Sequence, residues 1–227
     1  MKEKILVIAA HPDDEVLGCG GSIAKLSKQG AVIHIAFLAD GVFSRVGDAK
    51  IKQNELMQRR LAAENACNIL GAHSVSFGDF PDNQLDTIPL IDVIRTVEEI
   101  IKKYNPDTIF THHGGDLNID HRLTHDAVLT ACRPQSDNSV KTLLFYEVPS
   151  STEWQSPNSV LFFTPNWFID ISDELNLKTQ ALNAYHDELR AWPHPRSIKG
   201  VEYLARWRGA TICVEAAEAF VLGRKLL

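Results

Sequence analysis

The 227-residue chain has no surplus of basic residues: 23 Lys and Arg stand against 29 Asp and Glu, a formal net charge of −6. That balance argues against nucleic acid as the main partner, because polyanion binding normally shows a basic face. No apolar stretch approaches the ~20 residues of a membrane span. A secretory pattern is also missing, since the apolar run 5–10 is too short for a signal core and charges follow it at once. A cytoplasmic location is the default that follows. There is no Cys-x-x-Cys. Cys19, Cys67, Cys132 and Cys213 lie scattered in apolar or helical stretches and read as buried structural thiols. Cys19 is set apart only by its place beside the cluster described below. Internal repeats, low-complexity tracts and clear domain boundaries are absent too, so one domain over residues 1–227 is expected.

What the chain does have is an apolar fraction of 44%, enough for a sizeable core, and an alternating periodicity. Strands are predicted at 5–10, 31–39, 74–77, 107–111 and 140–148. Helices are predicted at 20–29, 52–70, 88–104 and 123–132. The 52–70 helix carries Leu56, Leu61, Ala62, Cys67, Ile69 and Leu70 on its apolar side, with Gly71 at its end. Strands alternating with helices imply βαβ units, an α/β fold and a mostly parallel sheet. Beyond Pro149 the pattern weakens. Residues 150–158 read as a loop or lid, 162–171 as a further strand, and Ser172 as the cap of a helix running to about Tyr185. Residues 189–197, with two prolines and a tryptophan, read as irregular.

Two clusters carry chemistry. The first, His11-Pro12-Asp13-Asp14-Glu15, sits where the first strand ends and a helix begins, the place where open α/β sheets bind ligands. Pro12 holds His11 out of helical geometry. The second, Thr111-His112-His113-Gly114-Gly115-Asp116-Leu117-Asn118-Ile119-Asp120-His121, follows the fourth strand and so emerges at the same sheet edge. Together they offer two histidines and an aspartate as metal ligands, a set that leaves a position open for water. Iron(II) takes the same donors, but its triad usually sits on a β-barrel, so zinc is preferred. Gly18-Cys19-Gly20-Gly21 lacks the Gly-x-Gly-x-x-Gly spacing of a dinucleotide loop.

These stretches resemble the PIG-L/LmbE-like family of zinc-dependent de-N-acetylases. Phe80-Pro81-Asp82-Asn83-Gln84-Leu85-Asp86, Pro195-Arg196, Arg208-Gly209 and Ala217-Glu218-Ala219-Phe220 add to the likeness less specifically. The resemblance implies a Rossmann-like three-layer α/β/α fold, Zn2+ held by His11, Asp14 and His121, and Asp13 as general base. It implies removal of an N-acetyl group from an N-acetylated sugar or glycoconjugate. A non-catalytic sugar- or metal-binding protein of the same fold is the alternative, and a homo-oligomer is left open.

One departure stands out. Several members carry a histidine, proposed as the acid that protonates the leaving amine, where this chain has Asn118. Either Asp13 makes both proton transfers, or another histidine enters the site: His112, His113, His186 or, as the favoured choice, His194. Two prolines flank His194, and Trp192 beside it could shield the site from water. For the substrate, the candidates are Asp82 beyond the third strand, Arg45 beyond the second, Asn118, and Arg196 in the Trp192-Pro193-His194-Pro195-Arg196 stretch.

Overall fold

The computed structural model describes residues 2–42, 49–135, 139–156 and 161–227; Arg45 lies outside them. Among these residues seven strands form one sheet in the order β3-β2-β1-β4-β5-β7-β6. They are β1 (Lys4–Ala9), β2 (Val32–Ala39), β3 (Ser74–Phe80), β4 (Thr108–His112), β5 (Thr142–Tyr146), β6 (Trp167–Asp170) and β7 (Ala217–Lys225). The first five in chain order run parallel, and β7 inserts antiparallel between β5 and β6. The helices are α1 (Asp14–Lys28), α2 (Ala49–Leu70), α3 (Leu90–Tyr104), α4 (Ile119–Ala131), α5 (Leu175–Ala184) and α6 (Ile198–Thr211).

Side chains on β1 alternate between two cores. Ile5, Val7 and Ala9 pack with α1, α2, α5 and Val201 of α6, whereas Leu6 and Ile8 face α3 and α4. Burial on both faces is why the strand reads as a continuous apolar run. The strand order reverses between β1 and β4, so the segments leaving their C-terminal ends diverge and open a crevice there. Both sequence clusters leave the sheet at that point.

The glycines after the first cluster serve packing rather than phosphate binding. A Cβ on Gly21 would lie 2.6 Å from Ile171, and one on Gly18 would enter the Tyr146 ring. Helix α1 breaks at Cys19, whose φ of −145° is not helical. The break exposes backbone groups that a buried ion pair satisfies. Glu218 of β7 accepts from Gly21 N (2.9 Å) and Ser22 N (2.7 Å), while Lys178 of α5 pairs with Glu218 and donates to Leu17 O at 2.9 Å. Glu218→Ala would strand a buried lysine and two amides. It is expected to lower unfolding free energy by about 3–5 kcal/mol, measured by urea denaturation, and Lys178→Met in the same background should recover part of the loss.

Several expectations need correction. Strand β7 and helix α6 are not foreseen. The α5 cap is Glu174, because the Ser172 hydroxyl is instead bonded to Asp170 at 2.6 Å. On α2 the buried face is Arg59, Ala63, Ala66, Cys67 and Leu70, and Leu61 is half exposed. Cys213 is exposed, whereas Cys19, Cys67 and Cys132 are buried free thiols. Burial pushes the Cys19 thiol far up, which makes it unreactive. No helix among the described residues is long and apolar enough to cross a membrane.

Candidate metal centre and catalytic cleft

The turn between β1 and α1 is held in a costly shape. Asp13 has φ 112°, a left-handed conformation worth roughly 1–3 kcal/mol of strain for a non-glycine residue. Glu15 secures it by accepting from Asp13 N at 3.0 Å, and Tyr185 in turn donates to Glu15 at 2.6 Å. Burial pushes the Glu15 carboxyl up to about 8, against the pull of the Tyr185 hydrogen bond. The turn fans out its side chains, so Asp13 and Asp14 face different neighbours.

Asp14 faces inward and is fully buried. Its Oδ2 lies 3.5 Å from His11 Nδ1 and 3.3 Å from His121 Nε2, and it accepts from His11 N at 2.9 Å. Burial opposes ionisation of Asp14, but His121, His112 and His11 hold it well below the usual carboxylate range.

The far nitrogen of each imidazole meets another carboxylate. His11 Nε2 is 3.0 Å from Asp120 and 3.2 Å from Asp82; His121 Nδ1 faces Asp116 at 3.1 Å. Such carboxylates fix ring orientation and raise ligand basicity. Burial lowers both imidazoles, but the carboxylates outweigh it and carry His11 to about 9 and His121 to about 10.

Among the described residues two groups could hold a cation: His11, Asp14 and His121, and His11, Asp82 and Asp120. Their hydrogen bonds distinguish them. Both Asp120 oxygens are taken, by Asn83 N at 2.7 Å and Leu85 N at 3.0 Å, and Asp82 accepts from the Asn83 amide. In the first group, Asp14 Oδ1 and both ring nitrogens of His121 are buried and make no hydrogen bond, Nδ1 meeting Asp116 as an ion pair only. Orphaned buried polar atoms are costly, and a divalent cation would satisfy them. The first group therefore fits a metal better, while Asp120 and Asp82 fit an anchoring role.

Asp13 faces a small polar cleft lined also by His11, Asp82, Asn118, Arg59 and Arg196. Arg196 reaches its Oδ2 at 3.2 Å and Arg59 lies 3.9 Å away, while Oδ1 is buried without a hydrogen bond. Burial raises the Asp13 carboxyl above its ordinary value, and the two guanidinium groups pull the other way.

The remaining sequence candidates divide. Asn118 caps α4, accepting from Asp120 N at 2.8 Å and donating to Asn83 at 3.0 Å, and its side chain borders the cleft. His194 does not line the cleft. It accepts from Arg196 N at 3.0 Å and meets the Trp154 ring edge-on, while Trp192 packs against Tyr203 instead. His112 is buried, accepts from Ala10 N at 2.8 Å and stacks on His121; burial keeps it neutral. His113 lies 3.3 Å from Leu161 O, and His186 is exposed beside Asp187.

Sequence reasoning missed Arg59 and Glu188, and it gave Asp116, though part of the second cluster, no role. Asp116 is fixed by Thr152 at 2.7 Å, by Asn118 N at 2.8 Å and by Ser151. Arg59 pairs with Glu188. A signal exists for Arg59: it shares a helical face with Ala63, Ala66 and Leu70, at offsets of four, seven and eleven residues.

Known proteins resemble this chain in sequence and in fold. The family described as GlcNAc-PI de-N-acetylase (PIG-L) matches residues 6–132. The uncharacterized deacetylase YaiS of Escherichia coli (strain K12) is 31% identical, over 81% of this chain and 91% of its own length. The diacetylchitobiose deacetylase of Thermococcus kodakarensis is 29% identical, over 82% of this chain and 70% of its own. In structure, the N,N'-diacetylchitobiose deacetylase from Pyrococcus horikoshii superposes with a TM-score of 0.80 at 21% identity, covering 98% of this chain and 84% of that one.

Proposed function

The chain belongs to the PIG-L family, and from that premise we propose that it is a zinc-dependent hydrolase that removes the N-acetyl group from an N-acetylated sugar or glycoconjugate. The observation that carries this reading is the pairing, across one sheet edge, of a His-Asp-His set in which Asp14 Oδ1 and His121 Nε2 are orphaned with a buried carboxylate that none of the three uses. A binding module would need the first but not the second.

In this reading His11 Nδ1, Asp14 and His121 Nε2 hold the ion, with Asp120 and Asp116 keeping each imidazole in its binding tautomer. When bound, zinc supplies Lewis acidity for the acetyl carbonyl and lowers the pKa of a water to about 7. Asp13 takes the proton of the attacking water on its unbonded Oδ1. Arg196 and Arg59 keep the carboxylate oriented while burial keeps its basicity high. The departing nitrogen needs a proton, and Asn118 cannot deliver one. Asp13, now protonated, is the group placed to return it, and His194 acts through Arg196 by fixing the backbone of that loop. Asp82, Asn118 and Arg196 present hydrogen-bonding groups to the sugar.

Acetate and free-amine release, assayed across N-acetylated sugars, sugar nucleotides and glycosides with and without a chelator, tests the proposal. At least one substrate should release both products in equal amounts, and the chelator should stop it. Binding of such sugars without any acetate release would make the protein a binding module.

A further inference from the structure

The turn that follows α5 reaches Asp13 by two routes. Tyr185 is fully buried, and its hydroxyl donates to Glu15, the carboxylate that holds Asp13 N. Three residues on, Glu188 N bonds to Tyr185 O at 2.9 Å, so the same turn sets where the Glu188 side chain stands. That side chain pairs with Arg59 of α2, and Arg59 Nη2 in turn lies 3.9 Å from Asp13 Oδ2. We propose that Glu188 is a positioning residue for the reaction: by holding Arg59, it keeps that guanidinium beside the Asp13 carboxylate without letting it close on the oxygen that takes the proton. The inference rests on the deacetylase reading and adds the group that keeps its base free.

The Arg59, Glu188 and Asp13 side chains are 9%, 10% and 2% exposed, so solvent and salt screen little of the pull between them. A buried guanidinium must keep a carboxylate partner, and Arg59 has two within reach. An arginine fork favours two parallel bonds to one carboxylate. On Asp13 that arrangement would take both oxygens. As the site stands, Oδ2 is shared by Arg196 at 3.2 Å and Arg59 at 3.9 Å, while Oδ1 makes no hydrogen bond. Glu188 is the competitor that wins Arg59. Without its charge the guanidinium needs to move only about 1 Å to come within hydrogen-bond distance of Oδ2. From there the fork spans the carboxylate, and a captured Oδ1 no longer accepts a proton from water.

Steady-state kinetics on the zinc-loaded full chain decide the matter, with the N-acetylated sugars of the screen above as probes, N-acetylglucosamine and N,N'-diacetylchitobiose first. Glu188→Gln should lower kcat by roughly 10- to 100-fold, the effect of one charge-assisted hydrogen bond to the base, with KM and zinc content little changed. In the Asp13→Asn background no base is left to capture, and the same substitution should lower kcat no further. Glu188→Asp keeps the charge on a shorter arm. It should fall between wild type and Glu188→Gln, should likewise be silent beside Asp13→Asn, and carries the test if the amide variant does not fold. Adding Arg59→Met to Glu188→Gln removes the capturing group and should return part of the lost kcat. Equal losses with and without the Asp13 carboxylate would mean that the pair supports only the fold, and would overturn the proposal. So would an effect confined to KM, or full activity of Glu188→Gln. Absence of acetate from wild-type enzyme with every probe would instead overturn the deacetylase reading, and this role with it.

Discussion

His121→Ala is expected to lose metal and activity together. His121 is buried, its Nε2 stands 3.3 Å from Asp14 Oδ2, and that nitrogen makes no hydrogen bond of its own. Alanine would leave two of the three proposed protein ligands, one carboxylate and one imidazole, which would hold a divalent ion poorly. Zinc content by elemental analysis should fall well below one equivalent after dialysis. Acetate release should drop by at least about 10³-fold, since Lewis-acid stabilisation is worth several kcal/mol and each 1.36 kcal/mol is tenfold. The fold should survive. Asp116 keeps Ser151, Thr152 and Asn118 N as partners, and His112 keeps the Ala10 amide. The thermal transition of the metal-free variant should therefore lie near that of metal-free wild type, while the upward shift that zinc gives wild type disappears. A variant that retains stoichiometric zinc would show that His121 is not a ligand.

Asp13→Asn is expected to separate the two functions that His121→Ala removes at once. Asparagine keeps the shape and tolerates the left-handed backbone that Asp13 adopts. It cannot accept a proton. Turnover should fall by roughly 10²–10⁴-fold, the range of general-base catalysis, with zinc content unchanged because Asp14, not Asp13, is the proposed ligand. The pH profile gives a second readout. The base works only when ionised, so wild-type activity should rise with pH through the Asp13 pKa, which burial places above the ordinary carboxylate value. In the variant that acidic limb should vanish. If the Asp13→Asn protein proves metal-free, the roles of the two aspartates are exchanged; if it is fully active, Asp13 has no part in the chemistry.

The parts of the fold that the sequence makes legible are those where one physical signal dominates. Strand β1 is buried on both faces, so Ile5 to Ala9 shows an unbroken apolar run, and a proline-pinned turn loaded with His and Asp after it has no packing use. The same logic exposes the loop after β4. Strand β7 hides because it carries Glu218 and Lys225 within one short segment, and only the broken helix α1 explains a buried glutamate there. Helix α6 hides because its buried residues, Val201, Ala205 and Gly209, are few and small. Arg59 escapes a sequence reading for a related reason. A charge on an amphipathic helix normally marks the solvated face, and here its partner, Glu188, lies far along the chain. No local pattern reports such a pairing. The anchors Asp116 and Asp120 are visible as residues, but their division of labour depends on which imidazole nitrogen each one meets.

Zinc titration of metal-free protein, with acetate release read at each addition, tests the central claim most directly. Activity should be absent at zero zinc, rise linearly and saturate at one equivalent per chain, with protons released as the ion displaces those held on His11 and His121. Acetate release from rigorously metal-free protein, or saturation with zinc and no acetate from any N-acetylated sugar, would contradict it.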